Sequence, residues 1–252
     1  MNNLLRLIGR RLVALPIMAL GVTLLVFGLM SFTDPSIPAR NALGEGASPE
    51  AIEQYMEEQG LNDPLPERYV NYIGGLLHGD LGTYGAARTS VSSRIATALP
   101  VTMQLTFIGL IIGAIVSFVL GVIAALYRDK WPDQLIRVFS IAGIATPSFW
   151  LAVLMILVFS SYMHLLPASG PLPHFTTNPG GYLARMLMPA IALAFPLTGQ
   201  MTRIVRTAMV EELDKDYVRT ARGGGLPEFV VIARNVLRNA LITPVTTLGL
   251  KI

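Results

Sequence analysis

The chain has 252 residues, of which 52% are hydrophobic and only 14% are charged, and it contains no cysteine. A soluble domain carries roughly 25% charged residues, so this composition and a mean hydropathy of +0.55 are typical of a membrane protein. The absence of cysteine excludes disulfides and thiolate metal sites. The net charge of +3 comes from basic residues that flank apolar runs, so it indicates membrane topology and not nucleic-acid binding.

Residues 1–32 predict a cytoplasmic N-terminus followed by a first membrane span. Arg6, Arg10 and Arg11 precede an apolar run from Leu12 to Phe32. About 20 apolar residues are enough to cross a bilayer. A cleaved signal peptide would have a shorter apolar core that ends in small residues, and this run does not. We therefore predict a span that stays in the protein.

Residues 33–98 are polar and predict a small helical insert. Ser48-Pro49-Glu50 is typical of a helix start, Gly60 of a helix end, and a second helix is predicted from about Pro66 to His78. Nine acidic residues outnumber four arginines in this segment. It is too small for a separate enzyme domain. We interpret it as a cap on one membrane face, which either docks a partner or is only a solvated surface.

Residues 99–252 predict a transmembrane core, with a polar loop at 206–239 and spans at about 102–127, 138–162, 186–205 and 240–252. Small residues recur every four positions in the second span, which places them on one helix face where another helix can approach closely. They are Gly109, Gly113, Ser117 and Gly121. The fold class is therefore predicted to be all-α, a polytopic bundle of transmembrane helices.

The third span, at 138–162, contains a proline in its middle. Pro147 lacks the N–H that a helix interior requires, so the helix should kink and expose polar backbone beside Thr146 and Ser148. In lipid, such a defect must be covered by neighbouring helices or must face water. Two readings stay open and are compatible: a structural kink, or a wall of a solute path that also includes Phe149.

The last two apolar runs differ in length. The fourth span carries Gln200 near its far end, and we add this residue to the candidates for a solute path. The fifth run begins at Ala240 and reaches only Ile252, which is too short to cross, and a sixth is absent. The chain is therefore expected to be a fragment or a truncated product.

The distribution of basic residues predicts the orientation. Cytoplasmic loops carry an excess of Lys and Arg. One set of basic residues falls on the side of the polar loop: Arg6, Arg10, Arg11, Arg128, Lys130, Arg137, Arg203, Arg206, Lys215, Arg219, Arg222, Arg234 and Arg238. A smaller set falls on the other side: Arg40, Arg68, Arg88, Arg94 and Arg185. The polar loop and the N-terminus should face the cytoplasm, and the acidic insert should face outward.

The polar loop is too patterned for a simple turn, above all at residues 214–238. Asp214 or Asp216 is predicted to cap a short helix, because a carboxylate accepts the free backbone N–H groups at a helix start. The glycines 223–225 should end that helix, and Pro227 can begin a second one. A helix, a glycine turn and a second helix on a membrane face suit docking into a cleft of another protein.

Residues for independent chemistry are lacking. The sequence has no Gly-x-x-x-x-Gly-Lys-Ser/Thr phosphate loop, and its three histidines show no metal-ligand spacing. We predict no catalytic residue, metal site or cofactor on this chain. Apart from Arg203, which closes the fourth span, Lys251 is the one acidic or basic residue that falls inside a predicted span, whereas proton-driven carriers usually need such a residue as a relay. The lack of these residues favours a passive solute path whose transport is driven by partner proteins.

The residues of the polar loop resemble those of binding-protein-dependent ABC importer permeases, in the dipeptide, oligopeptide and nickel branch. The resemblance begins with Asp216-Tyr-Val-Arg-Thr-Ala-Arg-Gly-Gly-Gly225-Leu and Arg234-Asn-Val-Leu-Arg-Asn-Ala. It continues along the whole chain in Arg10-Arg11-Leu, Leu61-Asn-Asp-Pro-Leu-Pro, Gly74-Gly-Leu-Leu-His-Gly-Asp-Leu-Gly82, Pro147-Ser-Phe-Trp150 and Leu166-Pro-Ala-Ser-Gly170. The sequence departs from the family at Gly223 and Gly224, where Ala and Lys are common.

This resemblance implies a multi-pass permease of the cytoplasmic membrane and a set of partners. They are a second homologous permease, two cytoplasmic ATPases that hold ATP and Mg, and an extracytoplasmic solute-binding protein. It also implies the residues that would couple to the ATPase: Asp216, Tyr217, Arg219, Ala221, Arg222, Gly225 and Leu226.

Peptides are the commonest cargo of this branch, and nickel or another small solute is the alternative. Two readings from other classes are an ion-coupled secondary carrier and a membrane scaffold that transports nothing.

Overall fold

The computed structural model describes residues 2–44, 46–85 and 88–250, and it is predominantly helical. This confirms the predicted all-α class. The chain divides into two compact units, residues 1–99 and 100–252, and one long helix contains the boundary.

The first unit contains one long helix and a set of short elements. In chain order these are α1 (Asn2–Ser31), α2 (Ser36–Leu43), α3 (Pro49–Glu58), α4 (Leu65–Leu77), β1 (Thr83–Tyr84) and β2 (Thr89–Ser90). The two strands form an antiparallel hairpin in which Thr83 pairs with Ser90. The helix α3 begins where the sequence predicts, since the Ser48 hydroxyl accepts a hydrogen bond from the Ala51 N–H at 3.3 Å.

Aromatic residues join α4 to α1 in this unit. The Tyr69 hydroxyl donates to the Leu20 carbonyl at 3.1 Å and lies 3.0 Å from the Thr23 hydroxyl. The Phe27 ring packs on Tyr69 and Tyr72, with centroid distances of 5.3 and 6.0 Å. Because α1 is the first predicted span, this contact fixes α4 beside it.

The second unit contains the remaining helices, and the first of them starts in unit 1. They are α5 (Val91–Leu126), α6 (Trp131–Ala145), α7 (Ser148–Met155), a π-helical segment (Ile156–Tyr162), α8 (Pro179–Leu213), α9 (Asp216–Gly223), α10 (Glu228–Val230), a second π-helical segment (Val231–Val236), α11 (Leu237–Ala240) and α12 (Ile242–Gly249). Among the described residues, Gly9–Ser31, Val91–Leu126 and Pro179–Leu213 are long and apolar enough to cross a membrane.

The predicted third span is broken and not merely kinked. The helices on either side of Pro147 meet at 102°, so together they form either one broken span or a re-entrant loop. The proline ring disfavours the helical conformation of the preceding residue, and Thr146 is extended with ψ 119°. Pro147 is extended as well, with ψ 132°, and α7 then starts at Ser148. Two consecutive extended residues turn the chain far more than a missing hydrogen bond would.

The helix α8 packs closely against both α5 and α6. A Cβ on Gly109 would lie 3.3 Å from the Ala190 carbonyl oxygen, and one on Gly121 would lie 2.6 Å from Val205. On the other side of α8, a Cβ on Gly199 would lie 3.3 Å from the Gly143 Cα. Glycine permits these contacts because it has no side chain to separate the two backbones.

Candidate functional site

The candidate site is the segment after α8, and its first helix, α9, starts without a side-chain cap. Asp214 ends α8, and the extended Lys215 precedes α9, so the predicted cap by Asp214 or Asp216 is wrong. The Asp216 carboxylate lies instead in the first turn of α9, 3.3 Å from Arg219 Nη1. A negative charge at this end of a helix is still favourable because of the helix dipole.

The three glycines after α9 have different conformations. Gly223 is the last residue of the helix, and Gly224 follows it with a hydrogen bond from its N–H to the Thr220 carbonyl at 2.9 Å. Gly225 alone has a positive φ, of 76°. The N–H of the next residue, Leu226, then reaches the Ala221 carbonyl at 3.4 Å. Gly225 is therefore the position where the turn requires glycine.

A hydrophobic core, here called the junction core, anchors α9 to the long helices. The Val218 side chain is fully buried in it, and Ala221 packs against it. The core also contains Ala125 of α5, Val205 and Met209 of α8, and Val231, Val236 and Ala240 from the segment that follows the turn. The short helix is thus packed directly against the ends of two predicted spans.

Hydrogen bonds around Tyr217 reinforce this anchor. The Tyr217 hydroxyl donates to Glu212 Oε1 at 2.5 Å and accepts a hydrogen bond from Asn239 Nδ2 at 3.2 Å. Lys215 Nζ lies 3.2 Å from the other oxygen of the buried Glu212. Burial, and then the hydrogen bond to Glu212, raise the pKa of Tyr217. The hydroxyl therefore stays protonated and remains a donor.

An ion pair closes the glycine turn from outside. Arg222 Nε and Nη2 donate to Oε2 and Oε1 of Glu228 at 3.0 and 2.6 Å. This pairing lowers the pKa of Glu228 and raises that of Arg222. It connects the end of α9 to the first turn of α10, so the angle between the two helices is set by side chains as well as by Gly225.

The outward side of the segment is polar with an apolar edge. Asp216, Arg219 and Leu226 are exposed, and Phe229 is 79% exposed although it is a large aromatic. The sequence prediction missed Phe229, whose position in the first turn after Pro227 is the available signal. Aromatic residues, Phe included, are enriched in protein interfaces.

A buried ion pair joins α6 to α8 close to the junction core. Asp133 is fully buried and receives hydrogen bonds from Nε and Nη2 of Arg206, both at 2.6 Å. Arg137 Nη2 lies 3.5 Å away, and the Asp129 N–H donates at 2.9 Å. The sequence prediction missed this pair as well.

The predicted path residues fall into two places. Thr146 and Ser148 are half-buried at the break between α6 and α7, and Phe149 beside them is 73% exposed. Gln200 lines a cavity of about 470 Å³ on one side of α8, and Thr146–Phe149 are not among its lining residues. The structure therefore does not bring the five predicted path residues, Pro147 included, into one pocket.

The predicted packing residues of α5 face α8. A Cβ on Gly113 would lie 2.9 Å from Leu197, and Ser117 is buried. Within the described part of the chain, no group of three His, Asp or Glu residues could hold a metal ion. Lys251 lies outside the described residues.

Comparison with protein families gives two matches that together cover most of the chain. Residues 117–252 match the model described as "Binding-protein-dependent transport system inner membrane component". Residues 4–106 match the model described as "Binding-prot-dependent transport system membrane comp, N-term". The junction core and the glycine turn lie inside the first match.

Curated relatives cover nearly the whole chain. One from Escherichia coli K12, provisionally named a D,D-dipeptide transport system permease protein, is 33% identical over 97% of this chain and 77% of its own length. A second, from Brucella suis and provisionally named a peptide transport system permease protein, is 37% identical over 94% and 74%. The glutathione transport system permease protein of Escherichia coli K12 is 34% identical over 91% and 72%.

Proposed function

Because this chain belongs to the family of binding-protein-dependent transport system inner membrane components, we propose that it forms half of the solute pathway of an ATP-driven importer of di- and oligopeptides. The family and its relatives identify it as a multi-pass membrane permease, as the resemblance predicted. Peptide cargo is supported by relatives named for D,D-dipeptide, peptide and glutathione transport.

The partners follow from the type of system. A binding-protein-dependent permease works with a solute-binding protein and an ATPase. We propose two ATPases, which hold ATP and Mg, and one homologous permease as the other half of the pathway. This chain would then hold no cofactor and no catalytic residue. The basic residues around α9 support a cytoplasmic N-terminus and loop.

The burial of Val218 in the junction core is the observation that carries the mechanism. Since α9 is packed against the ends of α5 and α8, a moving ATPase that displaces α9 must also move these two spans. The coupling residues predicted from the sequence lie on or beside this helix. Rocking of these spans would then open the pathway to one side of the membrane at a time.

The exposed side of the coupling segment offers a test. If Phe229 is a central contact of the ATPase interface, we expect Phe229→Ala to weaken co-purification of the ATPase, because truncating such a contact costs about 2 kcal/mol or more, roughly thirtyfold in Kd. Phe32→Ala is the matched control, since Phe32 follows directly after α1 and is 90% exposed. Both variants should fold normally, because neither side chain is buried.

The two outcomes separate the candidate functions. Loss of ATPase binding and of peptide uptake in Phe229→Ala, with both retained in Phe32→Ala, supports an ATP-driven permease. Uptake that persists in the absence of any bound ATPase and depends on an ion gradient would instead establish a secondary carrier.

A further inference from the structure

A row of polar residues runs along one side of α8. Gln200, Arg203, Thr207 and Glu211 are spaced by three or four residues, which places them on a single helix face. All four are exposed and line the cavity of about 470 Å³, which Ile144, Ile204, Ala208 and Thr243 complete. The cavity is therefore a groove with polar groups along its length.

The two charged residues of this groove differ from their neighbours in having no partner. Arg206 is paired with Asp133, and Glu212 with Lys215. Arg203 and Glu211 form no ion pair or hydrogen bond with any residue that the structure describes. Arg203 lies near the end of the fourth predicted span and Glu211 in the polar loop beyond it, so at this end of α8 the groove faces water, a solute or another protein chain.

The charges sit at a distance that suits a short peptide. Arg203 and Glu211 are eight residues apart, which corresponds to about 12 Å along a helix axis. An extended peptide spans about 3.3–3.6 Å per residue, and both side chains can reach toward each other. A peptide of about two to four residues carries an ammonium group and a carboxylate at a matching separation.

We infer that this groove binds the two termini of a short peptide as it passes through the permease. Arg203 holds the carboxylate, Glu211 holds the ammonium group, and Gln200 and Thr207 offer hydrogen bonds to the backbone between them. This inference rests on the proposed function and adds the residues that recognise the cargo. Reading only the termini and the backbone would make the groove indifferent to side chains.

The absence of cysteine from the chain permits a direct test that does not depend on uptake. In the complete complex with its ATPases and second permease, Thr207→Cys places one thiol of this chain between the two charges. Trialanine at about ten times its Kd should slow maleimide labelling of this thiol about tenfold. Trialanine that is acetylated at its N-terminus and amidated at its C-terminus should not slow the labelling. Thr177→Cys, exposed outside the groove, is the control whose labelling peptide should leave unchanged.

Variants of Arg203 and Glu211 show which of the two residues binds which terminus of the peptide. In the Thr207→Cys background, Glu211→Gln should weaken binding of free trialanine about tenfold, but should make no difference to N-acetylated trialanine. Arg203→Gln should likewise weaken binding of free trialanine, but should make no difference to trialanine that is amidated at its C-terminus. Arg203→Lys and Glu211→Asp keep the charges and should retain most of the protection, which separates recognition from misfolding.

Two results would overturn the inference. One is equal protection by free and fully blocked trialanine. The other is a thiol at 207 that stays unlabelled with or without peptide and crosslinks to the second permease, which would make the groove a subunit interface. Either result can occur in a complex whose ATPase activity peptide still stimulates, so the inference can fail while the proposed function stands.

Discussion

Asp133 is completely buried, and Arg206, seventy-three residues further along the chain, donates two hydrogen bonds of 2.6 Å to its carboxylate. Removing one member of such a pair leaves an uncompensated charge out of water. We expect Arg206→Gln to destabilise the protein by about 3–5 kcal/mol, measured by thermal unfolding in detergent. Arg137→Gln is the control, and its effect should stay within about 1 kcal/mol because this arginine is 3.5 Å away and 45% exposed. Equal losses in both variants would contradict this assignment.

Alanine substitutions at Gly225 and Gly223 in the glycine turn should have opposite effects on the stability of the protein. Gly225→Ala forces a side chain into φ 76°, although no atom lies within 4 Å of the new Cβ, so the cost is conformational and about 1–2 kcal/mol. Gly223 is helical and equally open, so Gly223→Ala should stabilise the protein by up to about 1 kcal/mol. Unfolding midpoints of the two variants check this. A loss of stability in Gly223→Ala would show that α9 does not end as described.

The pair of Arg222 and Glu228 predicts a pH dependence of the turn. The pKa of Glu228 is lowered from the usual 4.5 when the chain is folded, so its contribution is complete above that value and is lost as the pH falls through the lowered pKa. Both side chains are partly exposed, so the effect should be no more than about 1 kcal/mol. Hydrogen exchange of the amides of Gly225 and Leu226, corrected for intrinsic rates, should accelerate on acidification. In Glu228→Gln the exchange of these amides should already be faster at neutral pH, and it should not accelerate further on acidification. Identical pH profiles for this variant and the unchanged protein would refute the prediction.

The contact between α5 and α8 predicts a strong effect of one methyl group. A Cβ on Gly121 would lie 2.6 Å from Val205 and 3.0 Å from the Thr202 carbonyl oxygen, so Gly121→Ala should destabilise the protein by about 1–3 kcal/mol. Gly28→Ala, in a helix position with no atom within 4 Å, should be tolerated. Adding Val205→Ala should recover part of the loss in unfolding experiments. A Gly121 variant as stable as the Gly28 variant would mean that the helices do not meet there.

Features with a local cause were accessible from the sequence. A spacing of four residues defines one helix face, and Gly109, Gly113 and Gly121 lie where α5 meets α8. Ser48 followed by Pro49 marks a helix start by its own chemistry, and α3 begins there. The composition was enough for the membrane environment, and the apolar runs of about 20 residues were enough for the helical class.

Features that depend on distant residues were not accessible. Nothing near Asp133 in the sequence identifies Arg206 as its partner, and nothing near Val218 predicts its burial between two spans. The cap predicted for Asp216 failed because Lys215 takes the capping position after α8 ends at Leu213. Pro147 predicts a disturbed helix, but the bend of 102° also requires that both Thr146 and Pro147 be extended, which a proline does not by itself dictate.

The contact between Gly143 and Gly199 has a mechanical consequence. If α8 moved as one body about this contact, where two backbones touch without side chains between them, its two arms would be unequal. The arm to Leu213 has fourteen residues, about 21 Å, and the arm to Pro179 has twenty, about 30 Å. A shift of about 1 Å at the end attached to α9 would therefore become about 1.4 Å, in the opposite direction, at the other end. The position of one glycine along α8 would thus set the ratio between a movement at its Leu213 end and the opposite movement at its Pro179 end.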